Sequence, residues 1–213
     1  MPSVYALKPA FQGLLRPVVR LLARAGVTAN QVTLTACVLS IALGLFLTFR
    51  LPSQRWLLTL PVFLFVRMAL NAIDGVLARE FGQKSNLGAY FNELTDVVSD
   101  SFLYLPFAYL PGFDPLWIGA VIVLAVISEM TGTVAVMTGA SRRYDGPMGK
   151  SDRAAVFGAL GLWMGLGFNV APWVSYAFPR AVVLLLALTI VNRVRKGLAE
   201  LRSRNLNAGR TSA

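Results

Sequence analysis

Hydrophobic positions in this chain come in long, nearly unbroken runs rather than in the one-sided stripes of a soluble domain. Runs of roughly 20 residues, the length at which an α-helix crosses a hydrocarbon core about 30 Å thick, occupy 31–49, 56–79, 87–110, 115–139, 152–171 and 176–194. They predict six transmembrane helices. Polar residues between 71 and 100 interrupt the second and third. Both are kept as helices because backbone groups in lipid have to be satisfied within a helix or a closed barrel. No run shows the sustained period-2 alternation of a barrel strand. The expected fold class is an all-α polytopic membrane protein.

Ahead of the first run, Val4, Leu7, Phe11, Leu14, Val18 and Leu22 share one helical face, with Arg16, Arg20 and Arg24 opposite. This is the pattern of an amphipathic helix lying in the membrane interface, opened at Pro9 and kinked at Pro17, where a backbone donor is lost. An ordinary juxtamembrane segment is the plainer reading. No cleaved leader is expected, because the first apolar run begins near residue 31, exceeds a leader's apolar region and is followed by no small-residue cleavage site. The expected organisation is an amphipathic segment at 1–30, a six-helix domain at 31–196 and a detached basic tail at 197–213.

Composition agrees: with 56% hydrophobic and only 14% charged residues, a chain of 213 cannot cover a soluble globule. The formal net charge of +10 is placed rather than scattered. Lys8, Arg16, Arg20 and Arg24 precede the first run, and Arg79 and Lys84 lie between the second and third. Arg142, Arg143, Lys150 and Arg153 lie between the fourth and fifth, and Arg193, Arg195, Lys196, Arg202, Arg204 and Arg210 follow the last. All fall on one side, which the positive-inside rule makes cytoplasmic. Both termini are then cytoplasmic, as expected of a bacterial inner-membrane protein. Orientation and attraction to anionic lipid account for the charge. No basic patch interleaved with base-stacking aromatics points to nucleic acid.

The absence of histidine removes Ser-His-Asp hydrolysis, His-ligated zinc and His-ligated haem. Cys37, the single cysteine, lies in an apolar run and reads as a small buried side chain. There is no phosphate-binding G-x-x-x-x-G-K-[ST] loop, no dinucleotide glycine fingerprint and no convincing internal repeat.

The chemistry concentrates in 71–100. Arg67, Asn71, Asp74 and Ala78 follow i, i+4, i+7, i+11 spacing and share a helical face. Gly88, Asn92, Asp96 and Asp100 repeat every four residues on the next helix. A short connection makes the two helices antiparallel neighbours whose polar stripes face each other. Carboxylate and amide oxygens without histidine or thiolate suit Mg²⁺, Mn²⁺ or Ca²⁺. Gly75, Ala78 and Gly88 would let a bulky ligand approach the backbone. Either stripe alone fits plain helix packing through small residues and polar glue.

Together, the stripes form N-x2-D-G-x2-A-R-x8-G-x3-N-x3-D. This string resembles the signature of the CDP-alcohol phosphotransferase family, D-x2-D-G-x2-A-R followed after eight or nine residues by G-x3-D-x3-D. The segment Val27-Thr28-Ala29-Asn30-Gln31-Val32-Thr33 is also similar to the stretch that precedes the family's first span, with Ala29 where proline is usual. The resemblance implies an enzyme that transfers a phosphatidyl or related substituted phosphate from a CDP-linked donor, commonly CDP-diacylglycerol, to an alcohol, releasing CMP. It implies a Mg²⁺ or Mn²⁺ cofactor and a homodimer. It matches Asp74 to a metal-binding aspartate and Asp96 to the last aspartate, a metal ligand and general base. Asn30, Asn71, Gly75, Ala78, Arg79 and Gly88 match positions that bind the CDP-linked donor.

Two positions depart from the signature. Asn71 and Asn92 stand where the first and third aspartates are usual; an amide oxygen still ligates a hard cation but brings no charge and cannot act as a base. A non-catalytic member that binds CDP-lipid or metal is therefore the alternative. An ion-coupled transporter is disfavoured because inverted repeats and broken helices are not evident. The cations Arg142, Arg143, Lys150 and Arg153 suit recognition of an acceptor or donor phosphate, against a reading as topology signals. Arg67, Asp100 and Glu129 read either as a buried ion-pair cluster or as a polar extension of the site.

Overall fold

The computed structural model of the protein describes residues 4–50 and 53–211. The side chains of Val4, Leu7, Lys8 and Arg210, and residues Leu51 and Pro52, lie outside the described residues. Among the described residues, seven α-helices follow in chain order: α1 (Val4–Arg24), α2 (Ala29–Arg50), α3 (Thr59–Glu80), α4 (Asn86–Tyr104), α5 (Pro115–Met137), α6 (Lys150–Gly165) and α7 (Pro172–Thr211). Short 3-10 turns at Gln54–Leu58 and Leu105–Tyr109 lead into α3 and out of α4. No strand occurs among the described residues.

Local chemistry sets several of the boundaries. Ser85 accepts a hydrogen bond from the Gly88 backbone N–H at 3.0 Å, starting α4. Asp114 accepts from Leu116 N–H at 3.0 Å, with Pro115 in the first helical position. α1 runs without a break through Pro17; an interfacial helix can solvate the carbonyl that proline leaves without a donor. The 197–213 tail differs from expectation more sharply. As far as Thr211 it continues α7, and Glu200 and Arg204 reach back to Ser141 and Gly139.

Four helical segments are long and apolar enough to cross a membrane: α2, α3 with its preceding turn, α5 and α7 through Asn205. The other two of the six expected spans fall short for different reasons. α4 carries Glu93, Asp96 and Asp100, and α6 is 16 residues long and opens on Lys150, Asp152 and Arg153. Large apolar side chains such as Phe49, Val62, Phe65, Leu116, Val123 and Leu184 point outward. In water they would be a liability; against lipid tails, which are equally apolar, their exposure costs little.

The main core joins Leu47, Leu57, Leu60, Leu103, Tyr104 and Phe157, with the Tyr104 and Phe157 rings stacked at 4.3 Å. A second cluster of Val19, Val32, Ile73, Val76 and Leu77 joins α1 and α3 to the start of α2. The helix arrangement corrects one expectation: α2 packs along both α3 and α4, while the α3 and α4 backbones hardly approach each other. Gly44 allows this, because a Cβ there would lie 2.2 Å from the Phe102 carbonyl oxygen on α4. The polar stripes of α3 and α4 therefore border a gap, bridged only by side chains.

Candidate active site

The α3 wall of this gap is built on α2. Asp74 is buried and accepts a hydrogen bond from the Thr33 hydroxyl at 2.8 Å. Thr33 lies one turn into α2, and that turn is fixed in place. Gln83 Oε1 accepts from the Ala29 N–H at 2.6 Å, and its amide nitrogen donates to the Val27 carbonyl at 3.4 Å. Asn30 is drawn over the start of α4, so that a Cβ on Gly88 would lie 2.8 Å from Asn30 Oδ1. The exposed Arg79 folds back along α3, with its guanidinium 3.1 Å from where a Gly75 Cβ would stand. Asn71, one turn before Gly75, is half-buried.

The α4 wall is made of ion pairs. Asp96 contacts Lys150 at 2.5 Å and Arg67 at 3.3 Å. One turn deeper, Asp100 is held by Arg67 at 2.6 Å and by Arg153 at 3.0 Å. Arg153, 1% exposed, also meets Glu129 at 3.1 Å, and Glu129 meets Arg193 at 3.5 Å and Arg142 at 3.6 Å. Arg142 also pairs with Glu93. Beside this network opens a cleft of about 410 Å³ lined by Asn92, Asp96, Glu129, Arg142, Lys150 and Arg193.

The oxygen donors that the two stripes offer are the carboxylates of Asp74 and Asp96 and the amides of Asn71 and Asn92. Among the described residues, no three acidic, histidine or cysteine side chains gather to hold a metal alone. The donor set nonetheless suits a hard divalent cation if a ligand supplies further oxygens. Two carboxylates and two amides coordinate Mg²⁺ or Mn²⁺ better than zinc or copper.

A family profile described as CDP-alcohol phosphatidyltransferase matches residues 26–192, a stretch that contains both walls. The chain belongs to this family. It is 43% identical over 196 residues to the inner membrane protein YnbA of Escherichia coli, covering 92% of this chain and 96% of that one. It is 26% identical over 200 residues to a phosphatidylinositol phosphate synthase of Mycolicibacterium smegmatis, covering 91% and 88%. The fold is similar to that of Mycobacterium tuberculosis phosphatidylinositol phosphate synthase. The crystal structure with CDP-DAG bound gives a TM-score of 0.70 at 20% identity over 85% of this chain and 92% of that one. The structure with manganese and citrate gives 0.70 at 21% identity over 85% and 88%.

Around the cleft the four cations of the α5–α6 region are divided. Arg142 and Lys150 line the cleft. Arg143 turns away to Asp145 at 2.6 Å and Glu200 at 2.9 Å, and Arg153 is sealed beneath the cleft. A single phosphate site made of all four is not what the structure shows. Nearness along a loop does not fix side-chain direction. Of the two readings of Arg67, Asp100 and Glu129, the buried ion-pair cluster is present, and it reaches the cleft through Glu129. Sequence reasoning missed Thr33 and Gln83 as supports of Asp74 and Asn30, and it read Arg193 only as a topology signal. For Arg193 the signal existed: it closes the last apolar run, where a cation needs a buried partner.

Proposed function

We propose that this family member transfers a phosphatidyl or related substituted-phosphate group from a CDP-linked donor, CDP-diacylglycerol, to an alcohol. The observation that carries this reading is that the two motif carboxylates sit at the family's spacing on adjacent polar stripes, Asp74 buried on α3 against Thr33 and Asp96 on α4 lining a polar cleft. Asn30, Gly75, Ala78, Arg79 and Gly88 border the donor side: the glycines let Arg79 and Asn30 lie close against α3 and α4, where their guanidinium and amide would meet the nucleotide. Asn71, Asp74, Asn92 and Asp96 would hold Mg²⁺ or Mn²⁺. When bound, the cation supplies charge that neutralises the pyrophosphate and stabilises the departing CMP.

The chain's own residues do the rest. Asp96 takes the proton of the acceptor hydroxyl as its oxygen bonds to the donor's lipid-linked phosphorus and the bond from that phosphorus to the CMP oxygen breaks. Lys150 and Arg67 hold the Asp96 carboxylate at the cleft. Arg142 and Lys150 lie where acceptor and donor oxygens would pass. We further propose six membrane spans, with α4 and α6 crossing as polar members of the bundle and α1 lying in the interface. Residues 1–30, 31–196 and 197–213 are then anchor, catalytic domain and basic extension. Both termini and the site face the cytoplasm of a bacterial inner membrane, and the unit is a homodimer.

A second reading, a binding protein without turnover, is favoured by the amides at 71 and 92 and by the Lys150 contact that occupies Asp96. Release of radiolabelled CMP from CDP-diacylglycerol by purified protein, over a panel of alcohols, separates the two. Turnover is expected, and Asp96→Asn should lower it at least about a hundredfold while leaving the fold intact. Equal turnover in Asp96→Asn would remove the assigned base, and retained CDP-lipid binding without CMP release would favour the second reading.

A further inference from the structure

We propose that Glu129 sets the class of acceptor alcohol, and that this class is an uncharged polyol rather than a phosphorylated one. The inference rests on the transferase reading above and extends it to the acceptor. It starts from geometry. Three guanidiniums from three separate elements converge on one point of the cleft: Arg142 from the α5–α6 connection, Arg153 from α6 and Arg193 from α7. Converging arginine forks are the usual means of gripping a phosphate. Here the point of convergence is already filled from within the chain by the Glu129 carboxylate, which is 8% exposed and lines the cleft.

Among the described residues, each cation that lines the cleft already has a carboxylate partner. Lys150 is taken by Asp96, Arg67 and Arg153 share Asp100, and Arg142 is also paired with Glu93. Arg143, the remaining cation of the loop, is tied to Asp145 and Glu200. A divalent cation held by Asp96 would loosen Lys150, but the donor's pyrophosphate enters with that cation and takes up the released charge, while Glu129 keeps its three arginines. A phosphate monoester on the acceptor would instead meet Glu129 at close range, and like charges at an interface cost several kcal/mol. The remaining lining, Asn92, Tyr144, Gly149 and Ser151 with the carboxylates of Asp96, Glu129 and Asp152, presents hydroxyl, amide and carboxylate partners. Such a lining matches the donors and acceptors of a polyol, and Glu129 then discriminates by repulsion as much as by attraction.

The test compares glycerol and inositol with glycerol 3-phosphate and inositol 1-phosphate as acceptors in CMP release from CDP-diacylglycerol. Wild type should favour the uncharged member of each pair by about a hundredfold. Glu129→Gln, which keeps shape and removes the charge, should narrow that preference at least about tenfold, because the three arginines regain an anion site. A second measurement does not need turnover: inorganic phosphate should raise the thermal midpoint of Glu129→Gln and leave wild type unmoved. If Glu129→Gln does not fold, the wild-type acceptor pairs decide alone. Wild type that prefers the phosphorylated alcohols, or that phosphate stabilises as much as the variant, overturns the proposal. If no alcohol releases CMP while CDP-diacylglycerol still protects against unfolding, the transferase reading fails, and the phosphate comparison still decides the role of Glu129.

Discussion

On the α3 wall one buried carboxylate, Asp74, is held by a single neutral hydroxyl, whereas on the α4 wall Asp96, Asp100 and Glu129 are held by cations from four different elements. The two walls solve the same problem, keeping acids inside an apolar bundle, in opposite ways. A carboxylate with one hydroxyl partner keeps lone pairs available for an incoming cation. A carboxylate surrounded by guanidiniums is spoken for, and it ties the helices that supply those guanidiniums. The first wall therefore leaves carboxylate oxygens unengaged and the second cross-links its helices, with Asp96 on α4 and Glu129 on α5 reaching the cleft.

The comparison breaks first if the cross-linked wall turns out not to be structural. Arg153→Met removes the cation that joins Asp100 on α4 to Glu129 on α5, leaving Asp100 to Arg67 alone and Glu129 to Arg142 and Arg193, with one buried negative charge no longer balanced. The expected loss is about 3–5 kcal/mol, read as a large drop in thermal midpoint in detergent. Replacing Asp100 with leucine in the same chain should recover much of that loss, because an apolar substitute for a buried pair is often neutral. A single variant as stable as wild type would show that α4, α5 and α6 are held by packing alone.

A smaller effect sharpens the other wall. Thr33→Val is nearly isosteric and removes the one hydrogen bond to Asp74 outside its own helix. Stability should fall by about 1 kcal/mol, and Mn²⁺ affinity in the presence of CDP-diacylglycerol should weaken by about fivefold. Titration calorimetry measures the second quantity. If affinity changes as little for Thr33→Val as for an exposed control such as Thr138→Val, Thr33 does not orient the ligand.

Both walls were legible in the sequence as stripes, because helical periodicity alone puts Asn71, Asp74 and Ala78, or Gly88, Asn92 and Asp96, on one face. Their relation was not. The short connection at 81–85 suggested direct packing of α3 on α4, but the close approach of α2 to α4 at Gly44 and Phe102 links residues far apart in the chain, and no local pattern encodes it. The ion pairs were half legible. Arg67, Asp100 and Glu129 announced themselves as charges at membrane depth, yet which of the later cations would reach them depended on side-chain directions that charge counting does not contain. The polar tail was misjudged for a related reason: strong helix formers such as Ala199, Glu200, Leu201 and Arg202 extend α7 regardless of their low hydropathy.

That extension gives the smallest prediction, which concerns the loop carrying Arg142. Asp145 in this loop lies outside the spans, and Lys196 and Arg143 both bond its carboxylate, at 2.9 and 2.8 Å. Burial alone would raise its pKa, but these two hydrogen bonds and the cationic charges outweigh burial and hold it below the ordinary carboxylate value. The folded state thus binds this proton less tightly than the unfolded chain does. The contribution to stability is complete above the unfolded pKa of about 4 and disappears as pH falls through the lower folded value. Partly exposed pairs of this kind are worth up to about 1 kcal/mol, so acid should loosen the 139–146 loop without unfolding the bundle. Hydrogen exchange over 139–146, corrected for intrinsic rates, should rise below about pH 4, and Asp145→Asn should already exchange faster at pH 7 and lose that acid step. An acid step of unchanged size in Asp145→Asn would shift the clamp to Glu200, which bonds Ser141 and Arg143 from α7. The loop would then be anchored wholly from the helical tail, and Lys196 would be an incidental neighbour.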